Sequence, residues 1–271
     1  MSAEMNIHPT AVVSEKSKLH ESVTVGPFSV IEDGVVIGAG TSVATHVRIS
    51  GPTIIGEKNT IDSFASLGGA PQDLGYKGEP TELVIGDNNL IREYASIHRG
   101  TVKGSGKTIL GNNCMIMAYA HIGHDCIIED HVIIVNAAHL SGHTEVATRA
   151  TVGGLTGTHQ FSRIGTFAFI GGGSAVSKDV PPYAMVTGER GQMRISGLNK
   201  VGLRRNGFSR ETISKIDAAY RVLFHSPELL HKEALEKVEQ ELGGCEEIDG
   251  LLDFIRSSKR GVVKRIKKVN P

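Results

Sequence analysis

An aliphatic residue returns at every sixth position from the start of the chain. Ile7, Val13, Leu19, Val25, Ile31, Ile37, Val43, Ile49, Ile55, Ile61 and Leu67 follow one another without a miss. Four residues after each stands a mostly small or branched side chain, such as Ala11, Val23, Ser29, Thr41, Asn59 and Ala65, until Pro71 breaks the trend. The phase lapses over 73–84, resumes at Ile85, Ile91 and Ile97, and lapses again over 103–109. A third run then carries Leu110, Ile116, Ile122, Ile128, Ile134, Leu140, Val146, Val152, Thr158, Ile164, Ile170 and Val176, with only Thr158 polar. Neither a helix (period 3.6) nor a plain strand (period 2) repeats this way. Six-residue repetition belongs to a parallel β-helix in which each hexad forms one short side of a coil.

That architecture explains the composition. A narrow stacked prism admits branched aliphatics and small residues but few rings, and its corners call for residues that tolerate positive φ. The chain has 33 Gly, no Trp and only 5% aromatic residues. Three cysteines form no CxxC pair and are odd in number, so neither a disulfide framework nor a thiolate metal site is expected. Cys114 and Cys126 fall on inward positions and read as small core residues. Acidic and basic residues balance at 29 each, so no global field draws the protein to nucleic acid. No targeting segment and no run of about 18 apolar residues is present, and a cytoplasmic protein without a transmembrane segment is expected.

After "KDVPPYAMVTGE" (178–189) the period disappears, and helical signals replace it. The expected organisation is a mainly β domain over 1–190, with loops expelled near 73–84 and 103–109, and a C-terminal α-helical domain over 191–271. Ser209 is placed to cap a helix with Ile213, Ile216, Tyr220, Leu223 and Phe224 on one face. Ser226-Pro227 opens another, Gly243-Gly244 stops it, and a third covers Ile248 to Ile255 with Leu251, Leu252 and Phe254 apolar. From Arg256 to Lys268 the chain carries seven basic residues and no acid. Such a stretch is either a solvated tail or a docking patch for an acidic partner.

Three sides per coil make 18 residues per turn, so residues 18 apart stack about 4.8 Å apart. By this rule His121 lies under His139, His124 under Gly142, and Asp125 under His143, while His159 lies two coils beyond Gly123. The stretch "AHIGHDCI" (120–127) therefore belongs to a polar corner spanning three coils. Two chemistries fit it. His124 can act as a general base oriented by Asp125, with the Gly142 N–H as an oxyanion donor. Alternatively, three imidazoles can converge on zinc, as in a hexapeptide-type carbonic anhydrase.

The hexads, together with "NIHPTAVV" (6–13), "PQDLGYKGEPT" (71–81), "IHRGT" (97–101), "HIGHDC" (121–126), "LSGH" (140–143), "THQF" (158–161), "KDVPPY" (178–183) and "GLRRNGFSRE" (202–211), resemble the UDP-N-acetylglucosamine O-acyltransferase family. The resemblance runs along nearly the whole chain. It implies a left-handed parallel β-helix, a handedness opposite to the usual crossover preference and not readable from the hexads. It also implies a homotrimer with sites in the clefts between subunits. The implied reaction moves a 3-hydroxyacyl chain from acyl carrier protein to the 3-hydroxyl of UDP-N-acetylglucosamine, the first step of lipid A biosynthesis, without cofactor or metal.

By the same resemblance, His124 is the base, Asp125 orients it and Gly142 N–H holds the oxyanion. Asp73 would hold the glucosamine ring, with His121, His143 and His159 lining the cleft. Gln160, Asn199 and Arg205 are similar to residues that contact the nucleotide and phosphates, and Gly172 resembles the floor of the acyl channel. Basic residues of the C-terminal domain would dock the acidic carrier protein. Two positions depart from the family pattern. Gly75 stands where a lysine usually follows Asp-Leu, leaving open whether Lys77 reaches the site instead, and His139 replaces a smaller polar residue. These changes leave open a 3-amino acceptor, whose product would be an amide.

Overall fold

The computed structural model describes residues 6–189, 191–226, 229 and 231–264. Its hexads form two- to four-residue strands that pair in parallel across successive coils, building a three-sided prism. Among the described residues, the first sheet has eleven strands, from Asn6–Ile7 to Arg194–Leu198. The second has nine, from Val12–Val13 to Ala175–Val176, and the third has eight, from Lys18–Leu19 to Arg163–Ile164. Outside the two loops, registers obey the 18-residue rule up to the last coil: His121 pairs with His139, Ile122 with Leu140, and Ile134 with Val152.

The aliphatic hexad positions point inward and stack. Ile31, Ile49, Leu67, Ile97, Ile122 and Leu140 are all sealed from solvent in the second sheet. Each such side chain contributes roughly 1.5–3 kcal/mol relative to exposure. The one polar hexad residue, Thr158, is also buried, and its hydroxyl has a specific task. Its Oγ1 accepts from Ser141 N at 3.0 Å and lies 2.9 Å from Thr144 Oγ1, whose own hydroxyl donates to Ser141 O at 2.6 Å. The departure from apolar character therefore braces the turn that carries Gly142 and His143.

The corners need φ > 0, and one edge meets this with a column of exposed rings: Phe28, His46, Phe64, Tyr94 and Tyr119, all at positive φ, with centroids 4.8–5.1 Å apart. The edge between the second and third sheets differs. Both expelled loops leave the prism there, the first between strands Ser66–Gly69 and Glu82–Ile85, the second between Ser96–His98 and Lys107–Leu110.

These loops are shorter at their C-terminal ends than the sequence suggests. Residues 82–84 and 107–109, expected to be loop, already pair as strand, with Glu82 opposite Lys107 and Ile85 opposite Leu110. Hexad counting marks only the inward residue, whereas a strand re-entering the prism forms its ladder two or three residues earlier.

The expected boundary at 190/191 also moves. Ala184–Thr187 extends the first sheet and Arg194–Leu198 pairs with it antiparallel, so the sheet reaches Leu198 before any helix begins. Among the described residues four helices follow: α1 (Lys200–Arg205), α2 (Arg210–His225), α3 (His231–Leu242) and α4 (Glu246–Arg256). Ser209 caps α2 by accepting from Thr212 N, and Ile213, Ile216, Tyr220 and Leu223 are buried, as the spacing requires. Described helix α3 begins at His231, and the expected Pro227 start lies outside the described residues. Gly243 and Gly244, the latter at φ 84°, follow its end.

The helices lie on the last coils. The Tyr220 hydroxyl donates to Pro182 O, Asn199 Nδ2 donates to Phe167 O at 2.9 Å, and the Arg163 guanidinium sits 4.5 Å from the centre of the Phe254 ring. Of the basic tail, Arg265, Lys267 and Lys268 lie outside the described residues. Among the described residues, no helix is long and apolar enough to cross a membrane.

Candidate active site

Five consecutive crossings from the second to the third sheet line one polar edge. Two crossings hold the expelled loops, the next holds Gly123-His124-Asp125, the next Ser141-Gly142-His143, and the next His159-Gln160-Phe161. Neighbouring residues on a strand point to opposite faces, so His124 and Asp125 could not face one another in an extended chain. Asp125 sits at φ 59°, a region that Asp tolerates better than most residues. The resulting turn brings its Oδ2 to 2.8 Å from His124 Nδ1, with both residues buried. The tautomer that this contact assigns carries its proton on Nδ1 and leaves the Nε2 lone pair available as a base.

Asp125 is itself held. Thr101 donates its backbone N–H to Oδ1 at 3.0 Å and its hydroxyl to Oδ2 at 2.7 Å, and Asp125 N donates to Thr108 Oγ1 at 2.8 Å. A carboxylate with so many donors is held in one orientation. The His124 ring lies over Gly142: a β-carbon at position 142 would come within 2.5 Å of Cε1 and 2.6 Å of Nε2. Among the described residues, the Gly142 N–H donates to no protein acceptor, as an oxyanion donor requires. His143 stacks on Phe161 at 4.3 Å and meets His124 edge-on at 5.1 Å. Burial lowers the proton affinity of His143 despite the opposing charge of Asp125.

His121 lies on the adjacent strand. Its Nδ1 is 2.8 Å from Ser96 Oγ, and His98 and His139 flank it edge-on at 5.0 and 6.3 Å. Burial first, and then these neighbouring imidazoles, push its pKa down to about 4, so it is a neutral imidazole at physiological pH. His98, to which the sequence reading assigned no role, has a buried Nδ1 without a protein partner among the described residues. Cys114 and Cys126 point inward, and burial pushes their thiols up to about 11 and about 12.

In the first loop, Asp73 Oδ1 accepts from Gly75 N at 2.6 Å, and both its oxygens lie 3.0 Å from Lys103 Nζ. These contacts hold its carboxyl below the usual range, the Gly75 N–H foremost. The amine beside Asp73 is thus Lys103 of the second loop. Lys77 is exposed, and its backbone N–H donates to Glu79 Oε2. Thr101, Lys103 and Gly104 escaped the sequence reading because the inserted loop breaks the 18-residue arithmetic that links the other site residues.

His159 and Gln160 follow on the same edge and are exposed, with His159 Nδ1 2.9 Å from Gln160 O. Asn199 and Arg205 do not join the cluster within one chain. The Asn199 side chain caps α1 through Gly202 N and reaches Phe167 O, while Arg205 is exposed at the end of that helix. Gly172 is exposed near the end of the prism, with a β-carbon there meeting Gly154 O at 3.1 Å.

His124, Asp125 and His143 each bring one ligand atom within 4.8 Å of the others, a set that could hold a metal ion. It comprises two imidazoles and a carboxylate, not the three imidazoles of the zinc alternative. The carboxylate is already saturated by Thr101 and His124, which suits proton transfer better than coordination.

Two family profiles match the chain: "Udp N-acetylglucosamine O-acyltransferase; Domain 2" over residues 179–263, and "Bacterial transferase hexapeptide (six repeats)" over 16–51 and 107–142. The acyl-[acyl-carrier-protein]–UDP-N-acetylglucosamine O-acyltransferase of Halorhodospira halophila is 49% identical over 259 residues, covering 95% of this chain and 99% of its own. That of Syntrophobacter fumaroxidans is 47% identical over 260 residues, covering 96% and 100%. The crystal structure of the Francisella novicida UDP-N-acetylglucosamine acyltransferase superimposes with a TM-score of 0.92 at 42% identity, covering 96% of this chain and 95% of that one. The prism is accordingly a left-handed parallel β-helix.

Proposed function

The chain belongs to the UDP-N-acetylglucosamine O-acyltransferase family and transfers an acyl group from acyl carrier protein to UDP-N-acetylglucosamine, in lipid A biosynthesis; we propose that His124 is the general base of this transfer. The observation that carries the assignment is the His124 Nδ1 to Asp125 Oδ2 contact of 2.8 Å beside the free Gly142 N–H. His124 Nε2 takes the proton of the sugar 3-hydroxyl as its oxygen attacks the thioester carbonyl. Asp125 stabilises the imidazolium that forms, and the Gly142 N–H receives the charge that develops on the carbonyl oxygen. The C–S bond then breaks, and the imidazolium returns the proton to the departing carrier thiolate. No side-chain nucleophile is needed, which agrees with inward cysteines whose thiols are held protonated.

Asp73 holds the glucosamine ring in this reading, and His121, His143 and His159 line the cleft. Gln160, Asn199 and Arg205 meet the nucleotide and phosphates. The exposure of Arg205, and its distance in the fold from the polar edge, accord with a homotrimer in which one subunit's helices complete a neighbour's site. The donor chain is 3-hydroxyacyl, with Gly172 at the floor of its channel, and basic residues of the helical domain meet the acidic carrier. The reaction takes place in the cytoplasm. The test is His124→Ala with acyl carrier protein thioester and UDP-N-acetylglucosamine. A loss of about 10²- to 10⁴-fold in kcat is expected for a positioned base, and near-normal turnover refutes the assignment.

A further inference from the structure

Lys103 lies 30 residues from Asp73 in sequence, yet the two expelled loops bring its ammonium onto both carboxylate oxygens at 3.0 Å. This contact is built into the backbone on each side. On the first loop, Gly75 has no side chain, and a β-carbon there would run into the Lys103 ammonium and come within 3.0 Å of its Cε. On the second, Lys103 sits between two fixed points. Thr101 is bonded through both its N–H and its hydroxyl to Asp125. Gly104 rests bare against the same carboxylate, where a β-carbon would stand 2.5 Å from Asp125 Cγ and 2.9 Å from His143 Cε1. The loop is closed by Gly104 and Gly106 N–H groups donating to Thr101 O at 3.1 and 3.0 Å. A chain pinned at 101 and 104 has little freedom in where it projects residue 103.

We propose that Lys103 is a positioning residue for the acceptor sugar: it clasps the two loops together at Asp73 and aims that carboxylate into the cleft. The inference rests on the reading that Asp73 contacts the sugar. Asp73 keeps only 19% of its side chain exposed, and the pair is neutral as a whole. Without Lys103, an uncompensated carboxylate would face a substrate that itself carries two phosphates, and its second oxygen would lose its anchor. As a contributor to folding the pair counts for little, because the Lys103 side chain is 60% exposed and such ion pairs are weak. Stability and acceptor binding therefore separate cleanly.

The experiment compares Lys103→Met, Lys103→Arg, Gly75→Ala and Asp73→Ala, with UDP-N-acetylglucosamine and acyl carrier protein thioester varied in turn. Lys103→Met is expected to raise KM for the nucleotide sugar about tenfold, the signature of lost ground-state binding. KM for the carrier, the pH profile of kcat and Tm should stay as in the parent, since the His124–Asp125 pair is untouched. Lys103→Arg should recover part of the loss. Gly75→Ala should imitate Lys103→Met by displacing the ammonium, and the double variant should be no worse than Lys103→Met alone, because both changes break one contact. An unchanged KM in Lys103→Met, or a loss confined to kcat with a shifted pH profile, overturns the inference. Asp73→Ala keeps the two readings apart. If it leaves KM unchanged, the assignment of Asp73 to the sugar fails. If it raises KM while Lys103→Met does not, only the role of Lys103 fails.

Discussion

Replacing Gly142 by alanine puts one methyl group where the structure has the His124 ring. The added β-carbon would stand 2.5 Å from Cε1, 2.6 Å from Nε2 and 2.9 Å from Nδ1, against an ordinary contact of 3.4 Å or more. The β-carbon is fixed by a turn that Thr158 and Thr144 brace, so the imidazole must yield, by about 0.9 Å. That displacement breaks the 2.8 Å contact with Asp125 and carries Nε2 off the line to the sugar hydroxyl. Misplacement by about 1 Å costs on the order of 10²-fold in rate, equivalent to about 2.7 kcal/mol of barrier. The backbone N–H is retained, so the oxyanion donor survives and the loss reports the base alone. Single-turnover rates with saturating nucleotide sugar would measure it, alongside His124→Ala and the double variant. Both single changes act on one imidazole, so the double variant should match His124→Ala. A Gly142→Ala enzyme within threefold of the parent, with unaltered Tm, would refute the argument that the ring lies over Gly142 during catalysis.

Gly172→Met should shift donor preference toward shorter acyl chains, because each excluded methylene is worth about 1–3 kcal/mol; mass spectrometry of products from mixed donors reads this directly, and an unchanged profile removes Gly172 from the channel. The depressed pKa of His121, about 4 against 6.5 for the free side chain, makes the unfolded chain bind its proton first as pH falls. Stability from this group is present above pH 6.5 and is lost between 6.5 and about 4. The urea midpoint of His121→Asn should therefore fall less steeply over that window than the parent's, and parallel slopes would contradict the burial argument.

The inward ladders were legible because a prism of fixed cross-section imposes one period on every coil. His124, Asp125, Gly142 and His143 shared in that legibility, since each pair is one turn apart. What the sequence concealed lies where that period is interrupted. Thr101 reaches Asp125 across 24 residues, and Lys103 reaches Asp73 across 30, distances set by loop geometry that no repeat encodes. The hairpin at Ala184–Thr187 was hidden for a related reason: Pro181-Pro182 shortens the last turn, so Phe169 pairs with Met185 sixteen residues on. Helix α1 begins at an asparagine cap and contains Gly202, with only Leu203 buried, so it offers almost no apolar face for periodicity to detect.

Because both loops leave and rejoin at one edge, the coils above and below never register how long they are. Leu83 still pairs with Thr53 across the first loop, and Ile122 with Ile97 across the second, as if nothing had been inserted. Residues can be added or removed there without turning a single core isoleucine outward. One extra residue between Ile128 and Ile134, by contrast, would exchange inward for outward positions in the strand that follows. The edge that carries His124 and Asp125 is thus more tolerant of length variation than the ladders on either side of it. Divergence and design can both recut the two loops one at a time, while the scaffold that holds His124 is inherited intact.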